Sequence, residues 1–454
     1  MTTAALYPPT ATPSARALPL LPFLARFIRN PLRSLPRAVY DQPVVTYGRK
    51  RPLVAWVTDP ALIERILLSD AENFPKTRLD RRVLKPIVGE GLLTAEGESW
   101  RWQRKLASPL FRRSELLNYV PVILEAAQQR TAIWRAGGAN RLTAIDNDMT
   151  ETTFSVITRT ILAGIDESEA DAIKEAARAY LDPITWEVAA SLLMIPETAW
   201  HPGKRRMRQA AVRSRAVVAR LLEKRRHAGS AGDDLVARLI TARDPDTGLP
   251  MPDDMIVDNL TTFLLAGHET TAKALTWSLY LLARAPEWQD RLREEIRGVT
   301  GSGAITAETI AQLPLTARFL KESMRLYPPV PVITRVTSDD VDIGGKHLPK
   351  PTLIVIPIFA LHRHKLLWSD PDRFDPDRFL PENEAKRPRT QFMPFGYGPR
   401  ICIGSAFANL EAITLLAEFL RTTSFAWDGR HAPEPISRVT LRPKGGMPLL
   451  VSPL

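Results

Sequence analysis

Phe395-Gly396-Tyr397-Gly398-Pro399-Arg400-Ile401-Cys402-Ile403-Gly404 holds the only cysteine among 454 residues. A lone cysteine is most simply a small buried hydrophobe. Its surroundings argue otherwise. Two glycines and a proline precede Cys402 and make a tight, closely approachable turn, because glycine admits backbone conformations closed to other residues. After Cys402, Phe407, Leu410, Ile413, Leu416 and Leu420 recur at three- and four-residue steps, the period of a helix. Cys402 therefore sits on a loop entering a helix, where free N–H groups and the helix dipole favour a thiolate. Arg400 adds a fixed positive charge beside it. A thiolate next to a guanidinium suits a metal whose surrounding ligand carries carboxylates. Haem meets that description, with iron on sulfur and Arg400 on a propionate.

The stretch fills every fixed position of Phe-x-x-Gly-x-Arg-x-Cys-x-Gly, with Phe395, Gly398, Arg400, Cys402 and Gly404. It resembles the haem-binding signature of the cytochrome P-450 family, and the resemblance runs from about residue 35 to the end. What it implies is haem b (iron protoporphyrin IX) as cofactor, Cys402 as the iron ligand, and a mainly α fold with a small β-rich lobe. Length alone would suggest about three domains. The resemblance implies a single haem domain over 35–454 instead, preceded by 1–34 as a flexible tail and packing arm.

Hydrophobic residues make up 44% and charged residues 24%, the balance of a soluble protein with a large core. One cysteine excludes an internal disulfide and fits a reducing compartment, so a cytoplasmic location is expected. The 61 basic and 50 acidic residues give +11. Such a charge suits nucleic acid, an acidic membrane surface or an acidic protein. The basic residues are interleaved with acids along helices, which makes nucleic acid the weakest of these. Leu18 to Leu35 is broken by Pro19, Pro22, Pro31 and Pro36 and punctuated by Arg26, Arg29 and Arg33. It has neither the ~20 apolar residues of a spanning helix nor a signal-peptide layout. A packing arm is expected there, without a transmembrane anchor; membrane contact through Leu20, Leu21, Phe23, Leu24 and Phe27 is the alternative.

Further along, Val44 to Thr46 and Leu53 to Val57 read as short strands around the turn from Gly48 to Pro52. A helix should start at Asp59-Pro60, and a basic, Gly- and Pro-rich loop should run from about Asn73 to Ala95. Trp100 and Arg104, four apart, share a helix face; by resemblance they bind a haem propionate. Residues 115–245 show helical patterns without a chemical motif, and Leu181 to His201 is, by resemblance, a mobile lid. One long helix should span Asp253 to Ala285, opened by Pro252 and two acids. Its middle, Ala266-Gly267-His268-Glu269-Thr270-Thr271, puts small residues beside hydroxyls that compete for the i−4 carbonyls. The resemblance marks this as the family's oxygen-activation motif. It implies Ala266 against the cofactor, Thr270 as donor to dioxygen, and Glu269 on the proton route. His268 reads as a structural or surface residue rather than a ligand. Glu322 and Arg325 can pair, and as an exposed pair would contribute only a few tenths of a kcal/mol. By resemblance they lock to Arg378, while Arg335, and less securely His362, contact a propionate.

Together these readings give a haem-thiolate monooxygenase that uses dioxygen on a small hydrophobic substrate. Phe263, Leu264, Val330, Val332 and Ile333 are the candidate pocket residues. A peroxygenase, a hydroperoxide isomerase or a non-catalytic haem carrier or sensor are the alternatives, and the presence of both Glu269 and Thr270 weighs against them. About 50 residues follow Cys402, too few for a fused reductase, so electrons should come from a separate protein. Arg101, Lys105, Arg112 and Arg113 outnumber the lone Glu115 near the expected electron entry. That charge fits an acidic ferredoxin-type donor with its reductase, a flavodoxin being the runner-up. The protein should act as a monomer.

Overall fold

A helix of 32 residues, Asp253–Arg284, runs through the middle of the molecule. The structure is a computed structural model and describes residues 5–48, 52–162, 164–227, 229, 234–244 and 247–454. The helix ends within one residue of the expected span. Most of its residues between Ile256 and Ala283 are buried, so other helices must wrap it on every side. Ile145–Thr160 packs along one side. Gly267 permits that approach, since a Cβ there would lie 2.5 Å from Ile157 Cδ1. Pro314–Leu326 and Ser405–Thr422 close other sides.

The β structure is small, so the expected class, mainly α with a β-rich lobe, is what the chain adopts. Val44–Tyr47, Val54–Val57, Leu353–Ile356 and Ile333–Val336 form one sheet in that order. The pairings are antiparallel, parallel and antiparallel. The turn expected between the first two strands lies partly outside the described residues, at 49–51. A second sheet pairs Pro448–Pro453 with Arg141–Ala144 and Thr423–Ala426. Below the first sheet sits a separate apolar core that includes Ile63, Ile66, Ile354 and Met393.

Three expectations need correction. Asn73 to Ala95 is not a continuous loop, because Arg78–Val88 forms a helix. Thr77 and Asp80 cap it reciprocally, and Val83 and Ile87 are buried four apart; the many surface basic residues hide that apolar stripe in the sequence. Residues 5–17 are not a free tail. The Leu6 carbonyl accepts from the Phe374 N–H at 2.9 Å, and Tyr327 Oη donates to the Pro9 carbonyl at 2.7 Å. A short proline-rich segment can dock as extended chain because its carbonyls satisfy donors at the domain edge. The helix that follows, Leu20–Arg29, buries Leu24 and leaves Leu20 and Leu21 exposed.

The third correction concerns Glu322 and Arg325, which are wholly buried rather than exposed. Arg325 Nε and Nη2 donate to the two Glu322 oxygens at 2.7 and 2.8 Å. Nη1 also reaches the His362 and Pro371 carbonyls, and Nη2 the Arg373 carbonyl. Glu322 accepts from the Asp375 N–H at 2.8 Å and lies 3.7 Å from Arg378 Nε. Removing one partner strands the other charge in the core. Glu322→Gln should therefore cost about 3–5 kcal/mol of stability, read as a shift in the denaturant midpoint. A loss below about 1 kcal/mol would mean that the pair is solvated in solution.

Candidate active site

The cysteine loop is built by its glycines and closed by one backbone bond. Gly396 and Gly398 have φ of 77° and 73°, and a Cβ on Gly398 would lie 2.0 Å from the Leu67 carbonyl oxygen. No other residue fits there. The Cys402 N–H donates to the Phe395 carbonyl at 2.9 Å, which folds the loop back on itself. Cys402 then precedes the helix Ser405–Thr422. Its side chain has accessible surface, yet burial is the largest influence on the thiol and pushes its pKa up. That surface therefore opens onto an interior space. The Gly404 N–H and Arg104 pull the thiol the other way and favour the thiolate.

Cations crowd the edge of this space. The Arg400 guanidinium lies 4.1 Å from the Trp100 ring centre and donates to the Ala95 carbonyl at 2.7 Å. Arg104 Nη1 donates to the Ile401 carbonyl at 2.9 Å, tying the helix Gly97–Ala107 to the loop. Arg335, on its strand, joins them. So does Lys76, whose amine reaches the Leu93 carbonyl. Burial, then Arg400 and Arg335, push the Lys76 amine down to about 7. Burial and Arg335 push Arg400 down to about 10. The carboxylates acting on this group are Asp80 and Glu96. Asp80 also accepts from Thr334, and Glu96 is shared with Arg81. Three arginines and a lysine whose amine is pushed to about 7 face two carboxylates, so positive charge is in excess beside a sulfur donor. A haem with two propionates fits that donor set: Cys402 would hold the iron, and Arg104, Arg335, Arg400 and Lys76 the carboxylates, with Trp100 stacked under Arg400.

The central helix supplies the other wall. Ala266 is exposed and Thr270 half-buried in a helix whose flanking turns are buried. Phe263 meets Phe111 edge-on at 5.5 Å, and a Cβ on Gly404 would lie 3.9 Å from Phe111 Cε1, so this turn and the cysteine loop border the same region. Thr270 Oγ1 donates to the Ala266 carbonyl at 2.7 Å. Glu269 points elsewhere. It accepts from Thr440 Oγ1 at 2.9 Å and from Arg442 Nε at 2.7 Å. Burial opposes its charge, but Arg442 and Lys273 outweigh it and hold the carboxyl below its usual range. Arg442 Nη1 continues to Asp182, half exposed, at 3.3 Å.

The sequence matches the family described as Cytochrome P-450 over residues 23–450. The chain belongs to the cytochrome P-450 family. It is 32% identical to a cytokinin hydroxylase of Arabidopsis thaliana, over 91% of this chain and 81% of that one. It is equally 32% identical to the cyclooctat-9-en-7-ol 5-monooxygenase of Streptomyces melanosporofaciens, over 92% and 89%. The crystal structure of the cytochrome P-450DA haem domain superposes with a TM-score of 0.83, at 25% identity and 99% coverage of both chains. This cytochrome P-450 is a haem-dependent monooxygenase. Among the described residues, no helix is long and apolar enough to cross a membrane.

The structure gathers Trp100, Arg104, Arg335, Phe395, Gly398, Arg400, Cys402 and Gly404 at one end of the interior space, with Ala266 and Thr270 on the central helix. Two assignments fall. Leu264 has no accessible surface and belongs to the main core, because it faces neighbouring helices rather than the cavity. His362 is wholly buried and accepts from the Met393 N–H through Nε2 at 3.0 Å, so it braces the cysteine loop from behind. Burial, with Arg325 and Arg363 nearby, pushes it down to about 3, the state of a neutral acceptor. Of the other pocket candidates, Phe263 is buried, Val330 and Ile333 are half-buried and Val332 is exposed. His268 is structural as expected, bonded to the Leu264 carbonyl and set against Phe154. Lys76 escaped sequence reading because it lay in a basic stretch without periodicity. Lys76→Met should release haem to an acceptor protein about tenfold faster, since a charge-assisted hydrogen bond to a propionate is lost. An unchanged release rate would show that the amine does not touch the cofactor.

Proposed function

We propose that this cytochrome P-450 inserts one oxygen atom of dioxygen into a small apolar molecule, by hydroxylation or epoxidation, on haem b. The observation that carries this reading is the pair Ala266, exposed, and Thr270, half-buried, on one face of an otherwise buried helix. It offers a flat surface and one hydroxyl to the interior. The chemistry supplied by haem, when bound, is reductive cleavage of dioxygen and transfer of one oxygen atom. The chain's share is orientation and proton supply. The Thr270 hydroxyl, resting on the Ala266 carbonyl, rotates to donate toward the cavity. The Glu269 carboxylate joins the proton route by leaving Arg442 and turning toward Thr270, its proton coming from water at the surface near Asp182 rather than through the guanidinium. Phe263, Val330, Val332 and Ile333 offer apolar contacts to substrate, which fits relatives named for hydroxylating compact organic molecules.

Thr270→Ala should bind haem normally and consume reductant at an undiminished rate. With styrene as probe, it should release more hydrogen peroxide and less epoxide than the wild type. Unchanged coupling of electrons to product would remove Thr270 from the proton route.

Electrons reach this enzyme, on our reading, from an acidic iron–sulfur protein of ferredoxin type that docks on the cysteine side of a monomer in the cytoplasm. Arg101, Lys105, Arg112 and Arg113 are exposed there, next to Phe111. Glu115, the local acid, is already taken by Arg238 at 2.5 Å. With Arg101, Arg112 and Arg113 exposed on it the face is positive, and opposite charge speeds encounter. Arg112→Glu with Arg113→Glu should slow haem reduction by the ferredoxin about tenfold at low ionic strength. The difference should shrink as salt shortens the Debye length to ~8 Å. Equal rates across a salt series would assign these arginines to solvation alone.

A further inference from the structure

Arg82, Glu187 and His201 meet where the connection 193–203, between the helices Ile184–Leu192 and Lys204–His227, lies against the helix Arg78–Val88. Glu187 and His201 are 7% and 6% exposed. Arg82 Nε donates to Glu187 Oε1 at 2.6 Å, and Arg82 Nη1 donates to the Ile195 carbonyl at 2.5 Å. The connection's backbone bonds, from the Ile195 N–H to Ala190 and from the Ala199 N–H to Pro196, stay local, so these side chains tie it across to Arg78–Val88. His201 Nδ1 lies 3.0 Å from the Pro202 carbonyl, and Nε2 lies 2.5 Å from Glu187 Oε2. A carbonyl only accepts, so Nδ1 carries a proton. A second proton must stand between Nε2 and Oε2, because without it two acceptors would face each other. Burial opposes the charge on Glu187, but Arg82 and His201 outweigh it and hold the carboxyl below its usual range, which leaves that proton on His201.

The helix Arg78–Val88 starts at the cationic edge of the cofactor space, where Asp80 acts on Lys76 and Arg335. Leu265, beside the exposed Ala266, packs with Val83, Ile87 and Ile184 of the two helices that Arg82 and Glu187 join. We propose that Arg82, Glu187 and His201 are positioning residues that clasp the connection 193–203 over the cavity and gate the entry of substrate, the clasp opening when the shared proton is lost. Around it, Tyr180 donates to the Val83 carbonyl at 2.7 Å, Lys204 donates to the Glu197 and Ala199 carbonyls, and Arg81 and Lys85 pair with Glu90. The carboxylates of Glu197 and Asp182 are exposed, the second beside Arg442, and Arg26 and Arg29 are exposed on the helix packed against Ile184–Leu192. The hold is complete while His201 is protonated and is lost as pH rises through the titration of its imidazole. The clasp rests on the cofactor site and not on the role given to Thr270.

Stopped-flow binding of n-butyl isocyanide to the reduced holoprotein reads entry with an uncharged probe that the haem iron takes up directly. In the wild type, association and dissociation should both quicken about tenfold as pH rises through the imidazole range, about 6 to 8, with affinity little changed. His201→Phe has no proton to share and should be fast at every pH. Hydrogen exchange of residues 193–203, corrected for its intrinsic pH dependence, should rise over the same range in the wild type and needs no variant. Wild-type entry and exchange that ignore pH overturn the proposal. A pH dependence that survives in His201→Phe also overturns it, because the Lys76 amine, at about 7, would then be the group titrating. Should His201→Phe fail to hold haem, Glu187→Gln takes its place, with the same fast, pH-independent entry expected and the same survival of pH dependence decisive against the clasp. None of these rates involves turnover, so the reading of Thr270 stands or falls separately.

Discussion

Everything near the thiolate leans on the buried contact between Glu322 and Arg325. Two opposite charges without accessible surface persist only if each remaining lone pair and proton finds a partner. Here the guanidinium collects the carbonyls of His362, Pro371 and Arg373, and the carboxylate collects the Asp375 N–H. Segments distant in sequence are thereby fixed to one point. From that point His362 reaches the Met393 N–H, two residues before Phe395, whose carbonyl receives the Cys402 N–H. The ion pair touches no reacting atom. It sets where the sulfur stands.

The interior space is also defined by an electrostatic imbalance. Arginines and a lysine are drawn together against their mutual repulsion, with Asp80 and Glu96 too few to neutralise them. A haem, with two propionates, would supply the missing negative charge. The same field favours the thiolate over the thiol, since Arg104 lies close to the cysteine. Arg104 thus belongs to the cationic group and also acts on the sulfur.

On the central helix, neighbouring residues face different surroundings. Gly267 admits the helix beside it, Glu269 is held by Arg442 and Thr440, Thr270 Oγ1 rests on the Ala266 carbonyl, and Thr271 Oγ1 rests on the Gly267 carbonyl. A helical step of about 100° per residue distributes them in this way. The arrangement gives these side chains separate surroundings within little more than one turn.

Local rules in the sequence already determined the cysteine loop, the central helix and the family. Glycine at positive φ, a proline and two acids at a helix start, and a fixed spacing around Cys402 are constraints that act over a few residues. The sequence could not show that Glu322 and Arg325 are buried, that His362 stands behind the loop, or that Lys76 joins the arginines. Each depends on segments far apart in the chain. A basic residue in a strip of basic residues looks solvated until folding removes its water, and Leu264 and Phe263, adjacent apolar residues, cannot be told apart as core or wall until neighbouring helices choose their sides. Burial and pairing are properties of the assembled molecule, so only the tertiary structure decided them.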